Sequence, residues 1–326
     1  MSTLSAEARA GLWRPLPDPE WQPTIRSLHR WSQIIGKVRL ALAQPINHWW
    51  HVTLYVTARG LTTSAIPYGS GLLELEFDLV DHVLIVRLSD GTTSTVRLRP
   101  MSVADFHVEV GQLLARLGVN VRIWPVPTEV VDATPFADDV APGGYDPEHA
   151  GALHGALINA HRVLTRFRGG FIGKSSPVHF FWGGFDMAAT RFSGRPAPRH
   201  PGGVPNCPDY VQHEAYSHEV SSAGWWPGSN GIAPAFYAYM YPEPAGFATA
   251  AIEPAEGFYQ QDFHEFILPY ADVVDSEDPD ETVLAFLEST YTAGATLAGW
   301  DRKALERGGN RVPARAGHGG QNRGAS

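Results

Sequence analysis

The sequence predicts an α+β protein of two pseudo-repeated antiparallel-sheet units, each of ββββαβ type, with packing helices and a long C-terminal helix. Three observations predict it. Hydrophobic residues are 44% and charged residues 18%, which supports a packed core rather than a disordered chain. Period-two segments come in runs joined by turn residues, as in hairpins. Stretches of 3.6 periodicity, opened by capping residues, separate those runs.

Thr24 reads as an N-cap, followed at helical spacing by Ile25, Leu28, Trp31, Ile35 and Val38. "NHWWHVTLYVTARGLTT", Asn47 to Thr63, is β-branched and aromatic and reads as a strand. "LLELEFDLV", "HVLIVRLS" and "TSTVRLRP" are three more, the last two joined by the Asp90-Gly91 hairpin turn. Ser102 caps a helix with Val103, Phe106, Val110, Leu113, Leu114 and Leu117 on one stripe, stopped at Gly118. "VNVRIW" alternates as a fifth strand.

Residues 125–145 carry Pro, Asp and Gly and read as a linker or long loop. Asp146 caps and Pro147 opens the next helix. Ser176–Arg195 resumes β character, and a Pro- and Gly-rich loop follows. Asp209–Ala223 reads as a strand, Trp225–Asn230 as its turn, and "PAFYAYMYPEP" as the strand after it. A short helix around Pro254–Gln260 and the strand "FHEFILPY" come next. Asp278, Pro279 and Glu281 then open the long C-terminal helix as N-cap, N1 and N3.

The expected organisation is an arm over 1–23, a first half over 24–127 and a linker over 128–145. A second half with the C-terminal helix covers 146–307, and a disordered tail covers 308–326. The order of elements repeats at similar spacing, which suggests an old duplication with a site between the halves.

The chemistry-bearing stretch is "DYVQHEAYSHEVSSAGWWPG", Asp209 to Gly228. Read as a strand, it puts Glu214, Tyr216 and His218 on one face and Glu219 on the other. His179 opens a neighbouring segment that also holds Asp186, Arg191 and Arg195, with Gly183-Gly184 as a bulge able to reset the face. Convergence of His179, Glu214 and His218 would give two imidazoles and a carboxylate, a set suited to one divalent Fe, Mn or Zn ion. The same groups could instead work as acid and base, with Tyr216, Glu219 and Asp186 as catalytic candidates. Arg191 and Arg195 could hold an anionic substrate group by forked contacts, or pair with nearby acids. Trp50, Trp182, Tyr237 and Tyr239 are candidates for the wall of the binding pocket. Tyr237, Tyr239 and Tyr241 share one strand face, as a polar cavity wall would require.

The net charge of −9 gives nucleic acid no electrostatic footing. The single Cys207 cannot form an internal disulfide, which fits a reducing cytoplasm. No apolar run approaches the ~20 residues that span a bilayer. No phosphate-cradling glycine loop and no nucleophile elbow appear.

The segments "NHWWHVTLYVTARGLTT", "VHFFWGGFDMAATRFSGR" and "EAYSHEVSSAGWWPG", supported by "FYAYMYPEP" and "TYTAGATLAGWDRKALE", resemble a bacterial family of unknown function, DUF5996. The resemblance spans about Trp21 to Glu306 and implies no activity, cofactor or site residue. The residues themselves lead to the expectation of a cytoplasmic enzyme. It would act on a small, anionic molecule in an aromatic-lined pocket. The alternative is a non-catalytic module that binds a small ligand on its rings.

Overall fold

The computed structural model describes residues 13–229 and 231–308. The expected tail over 308–326, save residue 308, and the first twelve residues of the expected arm lie outside the described residues.

Helix α1 is Gln22–Leu42. It starts before Thr24 because Pro23 is pre-organised for a first turn. The Thr24 hydroxyl accepts instead from the Asp146 amide at 3.0 Å, tying the start of α1 to the start of a later helix. The expected strand Asn47–Thr63 is broken. Asn47–Trp49 forms a 3₁₀ turn in which His48 and Trp49 adopt φ of 58° and 62°. Two short strands follow, β1 (Tyr55–Val56) and β2 (Gly60–Thr62).

Then come β3 (Ile66–Tyr68), β4 (Gly71–Asp78), β5 (Val83–Leu88) and β6 (Thr93–Arg97). The first sheet is antiparallel in the order β1-β2-β4-β5-β6, with β3 also on β4. Its inner face, Leu73, Leu75, Phe77, Leu84 and Val86, is buried. Helix α2 (Val103–Arg116), capped by Ser102 as expected, covers it. Phe106 of α2 stacks on Trp31 of α1 with ring centres 4.8 Å apart. No strand forms over Val121–Trp124: this segment stays irregular, and Trp124 is 71% exposed.

Helix α3 (Pro147–Gly169) is capped by Asp146. The second sheet follows as β7 (His179–Phe181), β8 (Asp186–Pro196), β9 (His218–Trp226), β10 (Ala235–Tyr241), β11 (Phe258–Gln260) and β12 (Glu265–Pro269). It is antiparallel throughout, in the order β11-β12-β10-β9-β8-β7. Between β8 and β9 stands helix α4 (Asp209–Ala215), where a strand was expected. No helix forms over Pro254–Gln260, whose end is instead the edge strand β11.

Helices α5 (Tyr270–Val274), α6 (Pro279–Leu297) and α7 (Arg302–Leu305) complete the described chain. Asp278 caps α6, but that helix stops at Leu297, ahead of Gly299 at φ 63°.

The two sheets match in size and sense, and Asp90-Gly91 and Pro227-Gly228 both lie between paired strands. The expected duplication matched a strand at His48 with one at His179 and a strand at Val121–Trp124 with Glu265–Leu268, but His48 lies in a 3₁₀ turn and 121–124 is no strand. The sheets touch at one bridge, where Leu54 and Phe180 exchange backbone bonds of 2.8 and 2.7 Å.

Period-two alternation sorts the second sheet. Met187, Ala189 and Arg191 of β8, Ala223 and Trp225 of β9, and Phe236, Ala238 and Met240 of β10 are buried on the face covered by α3 and α6. Gly294 lets α6 sit close, since a Cβ there would lie 2.6 Å from the Met240 sulfur. The alternate residues, from Asp186 to Thr190 and from Tyr237 to Tyr241, face the other way into two cavities.

Candidate functional site

The larger cavity has a volume of about 990 Å³, within the range of small-molecule sites. Its floor is the open face of β8, β9 and β10. Its walls come from α1, the 3₁₀ turn, α4 and the segment around Glu129. A second cavity, of about 830 Å³, lies on the same sheet face toward β12. The two share Glu129, Asp186, Tyr216, Tyr237 and Tyr239.

That shared wall holds the unusual electrostatics. Asp186 is the first residue of β8 and accepts a hydrogen bond from the Tyr237 hydroxyl. Burial pushes its carboxyl up to about 6, and the Tyr237 bond holds it back. Glu129 is pushed up to about 7, first by its protein surroundings and then by the Asp186 charge, with Lys37 opposing. Glu265 on β12 is pushed up to about 8 by burial and then by Asp186. Burial takes Lys37 down to about 8. Burial also raises the Cys207 thiol, and the Glu129 charge raises it further.

Named neighbours hold the Glu129 backbone and the Lys37 side chain. Glu129 adopts a left-handed φ of 62°, a conformation that surrounding structure must impose on a residue other than glycine. The imposing groups can be named. Gln33 of α1 donates to the Thr128 carbonyl at 2.8 Å and accepts from the Thr128 amide at 2.7 Å. The Glu129 amide donates to the Pro205 carbonyl at 2.8 Å. Lys37 donates to the Thr128 hydroxyl at 2.7 Å and lies 5.4 Å from the centre of the Trp182 ring.

The carboxylates approach each other at the Gly183-Gly184 turn. A Cβ on Gly183 would lie 2.6 Å from a Glu129 oxygen, and one on Gly184 only 2.9 Å from an Asp186 oxygen and 3.7 Å from a Glu129 oxygen. A larger residue at either position would push a carboxylate aside. The pair is a turn between β7 and β8, not the expected bulge inside a strand. His29 braces the turn through a 2.8 Å bond between Nε2 and the Gly183 carbonyl.

Among the residues singled out from sequence, Asp186, Tyr216, Trp50, Trp182, Tyr237 and Tyr239 all line the larger cavity. The Tyr216 and Tyr239 hydroxyls are 2.8 Å apart. Trp182 donates to the Val52 carbonyl at 2.7 Å and closes against Gly36, where a Cβ would lie 2.3 Å from its ring.

The expected metal set does not assemble. Among the described residues no three His, Cys, Asp or Glu side chains form a group able to hold a metal ion. Glu214 sits exposed on α4, so the shared-face argument that required a strand fails. His218 begins β9, with Nδ1 3.1 Å from the Ser217 hydroxyl. His179 is 1% exposed, packed against the rings of Trp50, Tyr55 and Phe181, with Nδ1 3.2 Å from the Thr53 hydroxyl. Burial, helped by the charge of Arg39, lowers it to about 3, so it stays neutral.

Both arginines are committed elsewhere. Arg191 has the opposite parity to Asp186 and points into the core. It pairs with Glu288, donates to the Phe167 carbonyl, and lies 3.4 Å from the centre of the Phe167 ring. Arg195 forks onto Glu219 and donates to the Ala298 and Gly299 carbonyls, which keeps Glu219 out of both cavities.

Glu129, Lys37 and Glu265 were not read as site residues from sequence. Glu129 lies in a Pro-rich segment whose path no local pattern reveals. Lys37 follows Arg26, Arg30 and Gln33 on the polar face of its helix, where a cation gives no signal of a site.

The profile of the family of unknown function DUF5996 matches residues 13–307, so the chain belongs to that family. No curated protein and no solved structure matches the chain. No helix among the described residues is long and apolar enough to cross a membrane.

The acid cluster makes stability depend on pH. A carboxyl whose folded pKa is raised costs nothing below its ordinary value, and the cost is complete above the folded value. Glu129 and Glu265 therefore lower stability as pH rises from 6.5 to 8. His29, lowered to about 4, and His179 act in the opposite sense but only below about 6.5, their ordinary value. Lys37, lowered to about 8, acts in the opposite sense only near the top of this window, where it begins to lose its charge. Urea unfolding should show a decline from pH 6.5 to 8. Glu265→Gln should remove on the order of 1–2 kcal/mol of it. An identical decline in the variant would contradict the placement of Glu265.

Proposed function

We propose that the protein is an acid–base enzyme acting on a small, partly apolar molecule held in the larger cavity, with Asp186 as proton acceptor and Glu129 as proton donor. One observation carries this reading: two carboxylates from separate elements meet at the Gly183-Gly184 turn, inside an aromatic-lined cavity. Their raised pKa values suit proton transfer near neutral pH.

Asp186 is mostly ionised at pH 7 and takes a proton from the substrate or from water. Glu129 retains a proton for a large share of the time and gives it to the developing anion or leaving group. The pair interacts, so its two protonation steps belong to both residues together. Tyr237 fixes the Asp186 carboxylate by donating to it, and Lys37 stabilises Glu129 once that residue has given up its proton. Hydrolysis and isomerisation both fit this exchange. A cytoplasmic setting fits the lone thiol Cys207 on the cavity wall.

A panel of small-molecule hydrolase and isomerase substrates, run with wild type and Asp186→Asn, tests the reading. Turnover by wild type that the variant loses supports it, and equal turnover by both contradicts it. The ring-rich mouth, where Trp124 is 71% and Tyr210 62% exposed, favours the second reading of a ligand-binding module. Saturable binding without turnover across the panel would select that second reading.

A further inference from the structure

The second cavity has a composition of its own. It is lined by the phenol rings of Tyr216, Tyr237, Tyr239 and Tyr241 and by the exposed rings of Phe258 and Phe263. Four carboxylates face it, those of Glu129, Asp186, Glu243 and Glu265. No lysine or arginine lines it; its only basic side chains are His200 and His264. His200 is stacked on Tyr216 at 4.6 Å, and burial lowers its pKa. His264 lies 3.5 Å from Glu243.

Two of the four acids have their own partners: Asp186 takes the Tyr237 hydroxyl, and Glu243 takes that of Tyr259. Glu129 and Glu265 make no side-chain hydrogen bond or ion pair with any described residue. Both line the cavity together with Tyr237 and Tyr239, whose rings lie 6.2 Å apart at 16°. Aromatic rings attract a cation placed over an open face, and carboxylates in the same wall with no bonded partner favour a positive ligand there. Lys37 answers Glu129 only from the larger cavity and does not line this one.

We infer that the second cavity is a binding site for an organic ammonium ion, held among its tyrosine and phenylalanine rings with the carboxylates of Glu129 and Glu265 in the same wall. A soft, weakly hydrated cation satisfies both features of the wall, whereas a neutral molecule of the same shape satisfies only the rings. The inference shares Glu129 with the acid–base reading but does not rest on it: a bound cation favours the ionised carboxylates and draws their pKa values down, whatever proton Glu129 moves in the larger cavity.

The test is calorimetric titration of the full chain with tetramethylammonium, choline and benzyltrimethylammonium, and with 3,3-dimethylbutan-1-ol as the uncharged shape of choline. Saturable binding of at least one ammonium is expected. The alcohol should bind ~10-fold or more weakly than choline, and Glu265→Gln should weaken the ammonium by a similar ~10-fold factor. A thermal melt checks that the variant folds; if it does not, the choline–alcohol comparison decides alone. No binding by any ammonium, equal binding of choline and the alcohol, or undiminished binding by a folded Glu265→Gln protein would each overturn the inference. Loss of turnover in Asp186→Asn bears on the acid–base reading and leaves this one untouched.

Discussion

Substituting Asn for Asp186 should lower turnover by about a hundredfold or more, the span general acid–base groups commonly supply. The change is nearly isosteric, and an amide oxygen can still accept from the Tyr237 hydroxyl, so the wall of the cavity keeps its shape. What disappears is a group able to take a proton near neutral pH. Stability should hold or rise, because the variant no longer places an ionised carboxylate in a poorly solvated wall. Glu129→Gln should give a loss of similar size. The double variant should lose far less than the product of the two, as residues acting in one proton exchange do. Steady-state rates and a urea melt on each protein check this. Independent, multiplying losses would mean that the two carboxylates serve separate tasks.

Arg191→Ala should destabilise the fold by about 3–4 kcal/mol, the size seen when a large buried side chain is truncated. The guanidinium is 2% exposed and enclosed by rings, with the Phe167 and Tyr291 ring centres 3.4 and 4.3 Å from its carbon. It also bonds the Phe167 carbonyl near the end of α3 and pairs with Glu288 of α6, so it joins both helices to β8. Truncation removes those bonds and leaves a hole among three aromatic side chains. Arg191→Met should recover part of the loss by filling the volume without the charge. Ligand binding by whatever protein remains folded should be normal, because Arg191 lines neither cavity. A loss under about 1 kcal/mol would contradict this account of the core.

Much of this architecture is legible in the sequence where a local signal meets a regular element. Ser102, Asp146 and Asp278 each open a helix because their side chains accept from free amides of the first turn. The alternation of Tyr237, Tyr239 and Tyr241 points to a cavity wall because strand geometry sends all three the same way.

Reading fails where tertiary contacts decide. Asp209–Ala215 is too short for an apolar stripe, and as a helix it is held from outside. Tyr210 rests on Trp49, and His48 donates to the Ala215 carbonyl at 3.0 Å. Misassigning those seven residues put Glu214 beside His218 and created the metal set that the fold does not form. Parity did hold the answer for Arg191, five residues from Asp186 on the same strand and so on its opposite face. Glu129 had no such clue. Its position depends on Gln33, 95 residues earlier in the chain at the Thr128 contact, and on Pro205 in another loop.

The central claim is that Asp186 and Glu129 form one interacting carboxylate pair at the Gly183-Gly184 turn. Carbon-13 NMR titration of the side-chain carboxyls, assigned by their loss in Asp186→Asn and Glu129→Gln, tests it without knowledge of the substrate. The account predicts inflections at about 6 for Asp186 and about 7 for Glu129, with the Glu129 inflection moving down in Asp186→Asn. Ordinary titration of both residues, near ~4 with no response of one to loss of the other, would contradict it.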